Sequence, residues 1–309
     1  MDIINEFLTY LRLEKMRSKP TLYNYEGDLR QFIDFLKVDV YDFDCGSVTS
    51  NDIRSWLGTM GEKGMTTSTR RRRLQAIRTF YKWATRRGIV STNPALNIPL
   101  PRLDKPLPNH IRETEIEDIL KIAGKDFSSY RKYIILLLLY SLGIRESELT
   151  AITDEDISFD RGEISILGKR MIRRIVPIPG KLADEIKNWQ KIRDKRYPHL
   201  PTPRALIAGP HGKVSRILVY KIVHDALGET TTGRKSPHTL RHTFATAMVN
   251  SGADLDAVRE MLGHTSLSTT QIYTHLSINQ LRENYNGAHP RSESRSKHED
   301  PEEDTQQEL

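Results

Sequence analysis

Pro99, Pro101, Pro106 and Pro108 crowd into the segment Asn97–His110, and neither a helix nor a central strand can run through them. Each proline removes a backbone donor, fixes φ and pushes the residue before it out of the α region. The segment reads as an extended, semi-rigid linker. It divides the 309-residue chain into a first domain over 1–96 and a second over 111–286, each long enough to bury its own core, with a tail over 287–309.

The first domain reads as four helices. Ile3, Ile4, Phe7, Leu8 and Leu11 recur at helical spacing, as do Tyr25, Leu29, Phe32 and Leu36 in a helix that can start near Thr21, after Pro20. Thr49 or Ser50 can cap a third helix carrying Ile53, Trp56 and Leu57. The fourth runs from about Ser68 to Arg87 and stops at Gly88, with Leu74, Ile77, Phe80, Tyr81 and Ala84 on its apolar side. Arg70, Arg71, Arg72 and Arg73 fan around more than a turn of this helix, with Arg78 and Lys82 beyond them, and an external anion would relieve their repulsion.

In the second domain the helical stretches are 114–123, 128–142, 181–197, 214–227, 239–250, 255–262 and 269–273. Two β-branched runs around a turn at Lys169, over 163–178, form a hairpin, and Ala205–Ala208 is a brief strand. The class is mainly α with a small antiparallel sheet. Tyr133–Leu142, the most apolar stretch, falls well short of the roughly 20 residues of a membrane span and belongs in a core.

Charge narrows the partners. Lys and Arg outnumber Asp and Glu 47 to 40, for a net +7. The tail holds seven acids and three bases, which leaves the first 286 residues with about +11, enough to favour a polyanion by counterion release. Charge alone leaves simple solubility open. The single cysteine, Cys45, excludes an intrachain disulfide and suits a reducing compartment as a small apolar residue. The first residues have neither a basic nor an apolar export region, so the expected location is cytoplasmic, without a membrane partner.

The residues with chemistry are Ser236-Pro237-His238-Thr239-Leu240-Arg241-His242, Leu262-Gly263-His264 and Tyr273, with Arg145 and Glu148 upstream in Gly143-Ile144-Arg145-Glu146-Ser147-Glu148-Leu149. His238 and Arg241, three apart on a helix, can address one small anion, and Glu148 can hold Arg145. His238 and His242 are also four apart, but without the Glu of a His-Glu-x-x-His motif or a cysteine cluster no metal is expected. Gly209-Pro210-His211-Gly212-Lys213 lacks the spacer of a phosphate loop and reads as a turn.

In this order, Arg145 before Glu148, Lys169 in a Gly-Lys hairpin, His238-x-x-Arg241, Leu-Gly-His264 and Tyr273 nine residues later resemble the tyrosine recombinases, or phage integrases, and the Xer type most. The resemblance extends through Asn286 and implies a SAM-like core-binding domain followed by the catalytic fold, the two closing around double-stranded DNA as a clamp. Phosphate chemistry fits these side chains. Guanidinium groups at Arg145 and Arg241 suit the nonbridging oxygens as charge builds on a phosphodiester attacked by Tyr273. The resemblance makes His238 the base, Lys169 the acid for the departing 5′-oxygen and His264 a further donor, and it implies a 3′-phosphotyrosyl intermediate. It further implies a Holliday junction, a tetramer on two recombination sites and a C-terminal helix, around Ile278, Leu281 and Tyr285, that docks on a neighbour. No cofactor is required.

The chain departs from the Xer pattern at the hairpin tip, where Arg170 follows Lys169 in place of a second glycine, and in its acidic tail, which reads as disordered. A phage or mobile-element integrase and a type IB topoisomerase share this chemistry, and a catalytically silent DNA-binding protein shares the charge. The compact chain favours chromosome dimer resolution.

Overall fold

The computed structural model describes residues 2–102, 110–121, 126–168, 171–263 and 278–289. Lys169, His264, Tyr273, the linker stretch 103–109, the helix expected over 269–273 and the tail from 290 lie outside the described residues. The chain divides into two compact units, Met1–Pro106 and Leu107–Leu309.

In the first unit the described helices are α1 (Ile3–Leu13), α2 (Lys19–Leu36), α3 (Ser50–Glu62) and α4 (Thr67–Arg86). Local chemistry sets their starts. Asp2 accepts the backbone N–H of Asn5 at 2.7 Å, and Thr49 and Asp52 form a reciprocal capping box on α3. Helix α2 begins two residues before Thr21, because Pro20 fits the first turn, where an N–H has no intrahelical partner anyway. The four helices bury Phe7, Phe32, Trp56, Leu74, Ile77 and Phe80, and Phe7 meets the Phe80 ring edge-on at 5.4 Å. Cys45 is buried there, and burial raises its thiol pKa, as an inert apolar role requires.

The arginines of α4 have partners within the unit. Arg73 is only 9% exposed: it stacks over the Trp56 ring and lies 3.7 Å from Asp28, which also pairs with Arg72. Arg78 donates to the carbonyls of Ala95 at 3.0 Å, Leu96 at 3.2 Å and Ile98, while Arg71 donates to Pro101 O at 2.6 Å. Several cations expected to face an outside anion therefore brace the unit itself, because the chain leaving α4 folds back and supplies carbonyls. Lys82 is exposed and Arg70 half-buried.

The second unit is built on α6 (Phe127–Leu142), buried without a break from Tyr133 to Leu142. Around it lie α5 (Glu113–Leu120), α7 (Glu146–Leu149), α8 (Gly180–Arg196), α9 (Arg216–Ala226), α10 (Pro237–Asn250), α11 (Leu255–Leu262) and α12 (Ile278–Ala288). Strands β1 (Ile157–Ser158), β2 (Glu163–Leu167) and β3 (Arg173–Pro177) form an antiparallel sheet in that order. Ile164 pairs with Val176 and Ile166 with Arg174, so Arg174 occupies the face of the sheet that carries the buried residues.

Two expectations shift here. The brief strand lies at β4 (Ala208–Gly209), paired with β5 (Gly212–Lys213) around the Pro210-His211 turn, while Ala205 makes only a bridge to Thr153. The packed C-terminal part also runs past Asn286. Leu281, Tyr285 and Ala288 of α12 join Phe244, Met248 and Met261 in one apolar cluster, and the fully buried His289 stacks on Tyr285 at 4.7 Å. Tyr285 donates its hydroxyl to Ser141 O at 2.8 Å, so α12 docks on its own chain.

Candidate active site

The turn after α6 presents the first site residue. Gly143 ends the helix at φ +57°, and a Cβ there would collide with the Phe244 ring, so only glycine fits both the backbone angle and the space. The chain then reverses, and Arg145 becomes the residue before α7. Glu148, only 4% exposed, accepts the backbone N–H of Arg145 at 2.9 Å and its Nη1 at 2.6 Å. Its carboxylate also takes Arg174 across both oxygens, Nη1 at 3.1 Å and Nη2 at 2.8 Å. Burial pushes this carboxyl up, but the hydrogen bonds and charges of Arg174 and Arg145 outweigh it and hold the pKa below its ordinary value.

Arg241 comes from the other side. It sits on the second turn of α10, is 7% exposed, and donates Nη1 to Gly143 O at 2.6 Å and Nη2 to Leu262 O. Both carbonyls belong to helix C-termini, α6 and α11, where the backbone dipoles favour a cation. Burial first, then the charge of Arg145, lowers the Arg241 pKa to about 10, with Arg174 acting in the same sense and Glu148 against it. The group stays cationic at neutral pH. His238 lies one turn earlier on α10 and is exposed, as is His242. Among the described residues no group of three or more metal-ligating side chains comes together.

Arg145 and Arg174 thus pair with one carboxylate, and Arg241 lies near enough to feel the charges of all three groups. The structure brings Arg145, Glu148 and Arg241 together, with His238 on the first turn of the same helix. Arg174, on β3, is a member that the sequence motifs did not include. The alternation of β3 carried its signal: Arg174 is two residues from Val176, so with period 2 it points inward with that residue. Its Nε also donates to Met261 O at 2.6 Å.

The Phage integrase family matches residues 109–280, and its N-terminal SAM-like domain matches residues 4–88. A tyrosine recombinase XerD of Staphylococcus saprophyticus is 35% identical, covering 94% of this chain and 99% of its own. A tyrosine recombinase XerC of Pelobacter propionicus is 37% identical, covering 94% and 96%. The solved XerH site-specific recombinase bound to palindromic difH substrate superposes with a TM-score of 0.66 at 22% identity, covering 91% and 82%, and shows the shared fold. The chain belongs to the phage integrase family, the tyrosine recombinases, and is a site-specific recombinase.

Proposed function

We propose that Tyr273 attacks a DNA phosphodiester held by Arg145 and Arg241, and the observation that carries this is their proximity, with Glu148 holding Arg145 and Arg241 bonded to Gly143 O, two residues before Arg145. The two guanidinium groups neutralise the nonbridging oxygens, and His264 donates to one of them. His238 takes the phenol proton, and Lys169 protonates the departing 5′-oxygen. The phosphorus–O5′ bond breaks as the phosphotyrosyl bond forms at the 3′ end. A 5′-hydroxyl of another strand then attacks the phosphotyrosyl link and releases Tyr273, so no ATP or metal ion is consumed. Two such rounds through a Holliday junction recombine two duplexes.

The partners are a double-stranded recombination site and further copies of this chain, as a tetramer on two sites. Helix α12, docked at home in the free subunit, exchanges onto a neighbour in that assembly. The XerC and XerD names of its relatives favour chromosome dimer resolution, at cell division in the cytoplasm, over integration of a mobile element. Among the described residues no helix is long and apolar enough to cross a membrane. The test uses a suicide duplex nicked beside the scissile phosphate. Peptide mapping of the trapped adduct is expected to find the nucleotide on Tyr273, with formation unaffected by a chelator, and two intact sites are expected to exchange strands. An adduct on another side chain, or a requirement for divalent ions, overturns the reading.

On the first unit, the phosphate contacts fall to Lys82, Arg70 and the exposed edges of Arg71 and Arg72, rather than to Arg73 and Arg78. Lys82→Ala is expected to weaken binding to all duplexes alike and to lower the slope of log K against log salt by about 1. Arg73→Ala is expected to leave that slope alone and to cost about 1–3 kcal/mol of stability in urea melts.

A further inference from the structure

We propose that Arg174 is the positioning residue that holds three separate catalytic segments in one arrangement, the Arg145 turn and the chain entering Lys169 and His264. The inference rests on the reading that those residues address the scissile phosphate.

The contacts of Arg174 run to all three segments. Both of its Nη atoms bind the Glu148 carboxylate, which in turn holds the backbone and side chain of Arg145. Its Nε binds Met261 O, three residues before His264. Gly263, the residue just before His264, has φ +64°, and a Cβ there would lie 3.2 Å from Arg174 Nη1 and 3.3 Å from its Cδ, so the chain closes directly over the guanidinium. Gly168, the residue just before Lys169, would place a Cβ 3.7 Å from the same Nη1. One rigid, planar cation therefore bonds, directly or through one carboxylate, to the supports of His264 and Arg145, and lies beside the residue that leads into Lys169.

Arg174 commits an N–H from each of its three nitrogens, three of its five, to Glu148 and Met261. A lysine could keep the charge but not the fork that spans both carboxylate oxygens and a carbonyl at once. What the fork supplies is geometry: a displacement of about 1 Å in a group that must meet a phosphate oxygen costs about 100-fold in rate.

The test measures single-turnover cleavage of two suicide duplexes, one with the ordinary scissile phosphate and one with a methylphosphonate, whose missing anionic oxygen removes most of the need for Arg145. Arg174→Lys and Arg174→Gln are compared with Arg145→Ala. On phosphate, all three are expected to slow cleavage about 100-fold, with DNA affinity changed by less than about threefold. On methylphosphonate the loss is expected to shrink at least about tenfold for each, and Arg145→Ala combined with Arg174→Gln is expected to be no slower than about the worse single variant. Should the Gln variant fail to fold, the Lys variant carries the comparison.

If the Arg174 variants lose the same factor on both duplexes, or lose nothing, while Arg145→Ala is selectively rescued, the positioning role is overturned and the phosphate role of Arg145 stands. If Arg145→Ala is itself not rescued, the phosphate role falls, and the positioning role with it.

Discussion

Tyr273→Phe is expected to eliminate the covalent protein–DNA complex, with cleavage on the suicide duplex falling by more than about 10⁴-fold. The change keeps the ring and removes one oxygen, the atom that would carry the phosphate. Binding to the intact duplex is expected to stay within about twofold, because affinity comes from phosphate contacts made elsewhere. A denaturing gel of the trapped complex reads the result, and a Phe variant that still forms adduct would remove Tyr273 from the chemistry.

What the sequence disclosed was what local spacing governs. The ten-residue apolar run Tyr133–Leu142 could only be a core helix, Gly143 could only end it, and Glu148 three residues after Arg145 could be read as its holder without any tertiary knowledge. The linker prolines likewise announced a division of the chain. What it did not disclose was where cations find their partners. Four consecutive arginines look like an outward face until Asp28, on another helix, is seen to take Arg72 and Arg73, and the Pro101 carbonyl Arg71, and nothing near Arg70–Arg73 in sequence reports those partners. Arg174 escaped for a related reason. Its partners, Glu148 and Met261, are 26 and 87 residues away, and the hairpin offered four basic residues of which only strand parity distinguishes one.

The tail boundary shows the same limit from another direction. Composition turns polar after Asn286, yet Ala288 and His289 are buried, because the wall formed by Phe244 and Tyr140 leaves a place for them. Packing against a distant element, rather than local character, decides their burial.

Arg241→Ala is expected to lower cleavage by about 10²–10³-fold, the usual cost of one preorganised donor to a developing anion. A guanidinium has five N–H groups, and Arg241 engages two of them on Gly143 O and Leu262 O, which leaves about three for phosphate. Those two bonds do more than hold the side chain. They tie the end of α6, which presents Arg145, to the end of α11, which leads into His264. Removing the guanidinium leaves two buried carbonyls without their charged donor, at about 1–3 kcal/mol each, so urea midpoints are expected to fall together with the rate. Arg241→Lys separates the two effects. An ammonium can restore charge to the pocket and reach one carbonyl, but it cannot bridge both helix ends and still present a fork to phosphate. The Lys variant is therefore expected to regain part of the stability while its cleavage rate stays at least about tenfold below that of the parent. A Lys variant that cleaves at the parental rate would show that charge alone suffices and that the bridge between α6 and α11 has no part in catalysis.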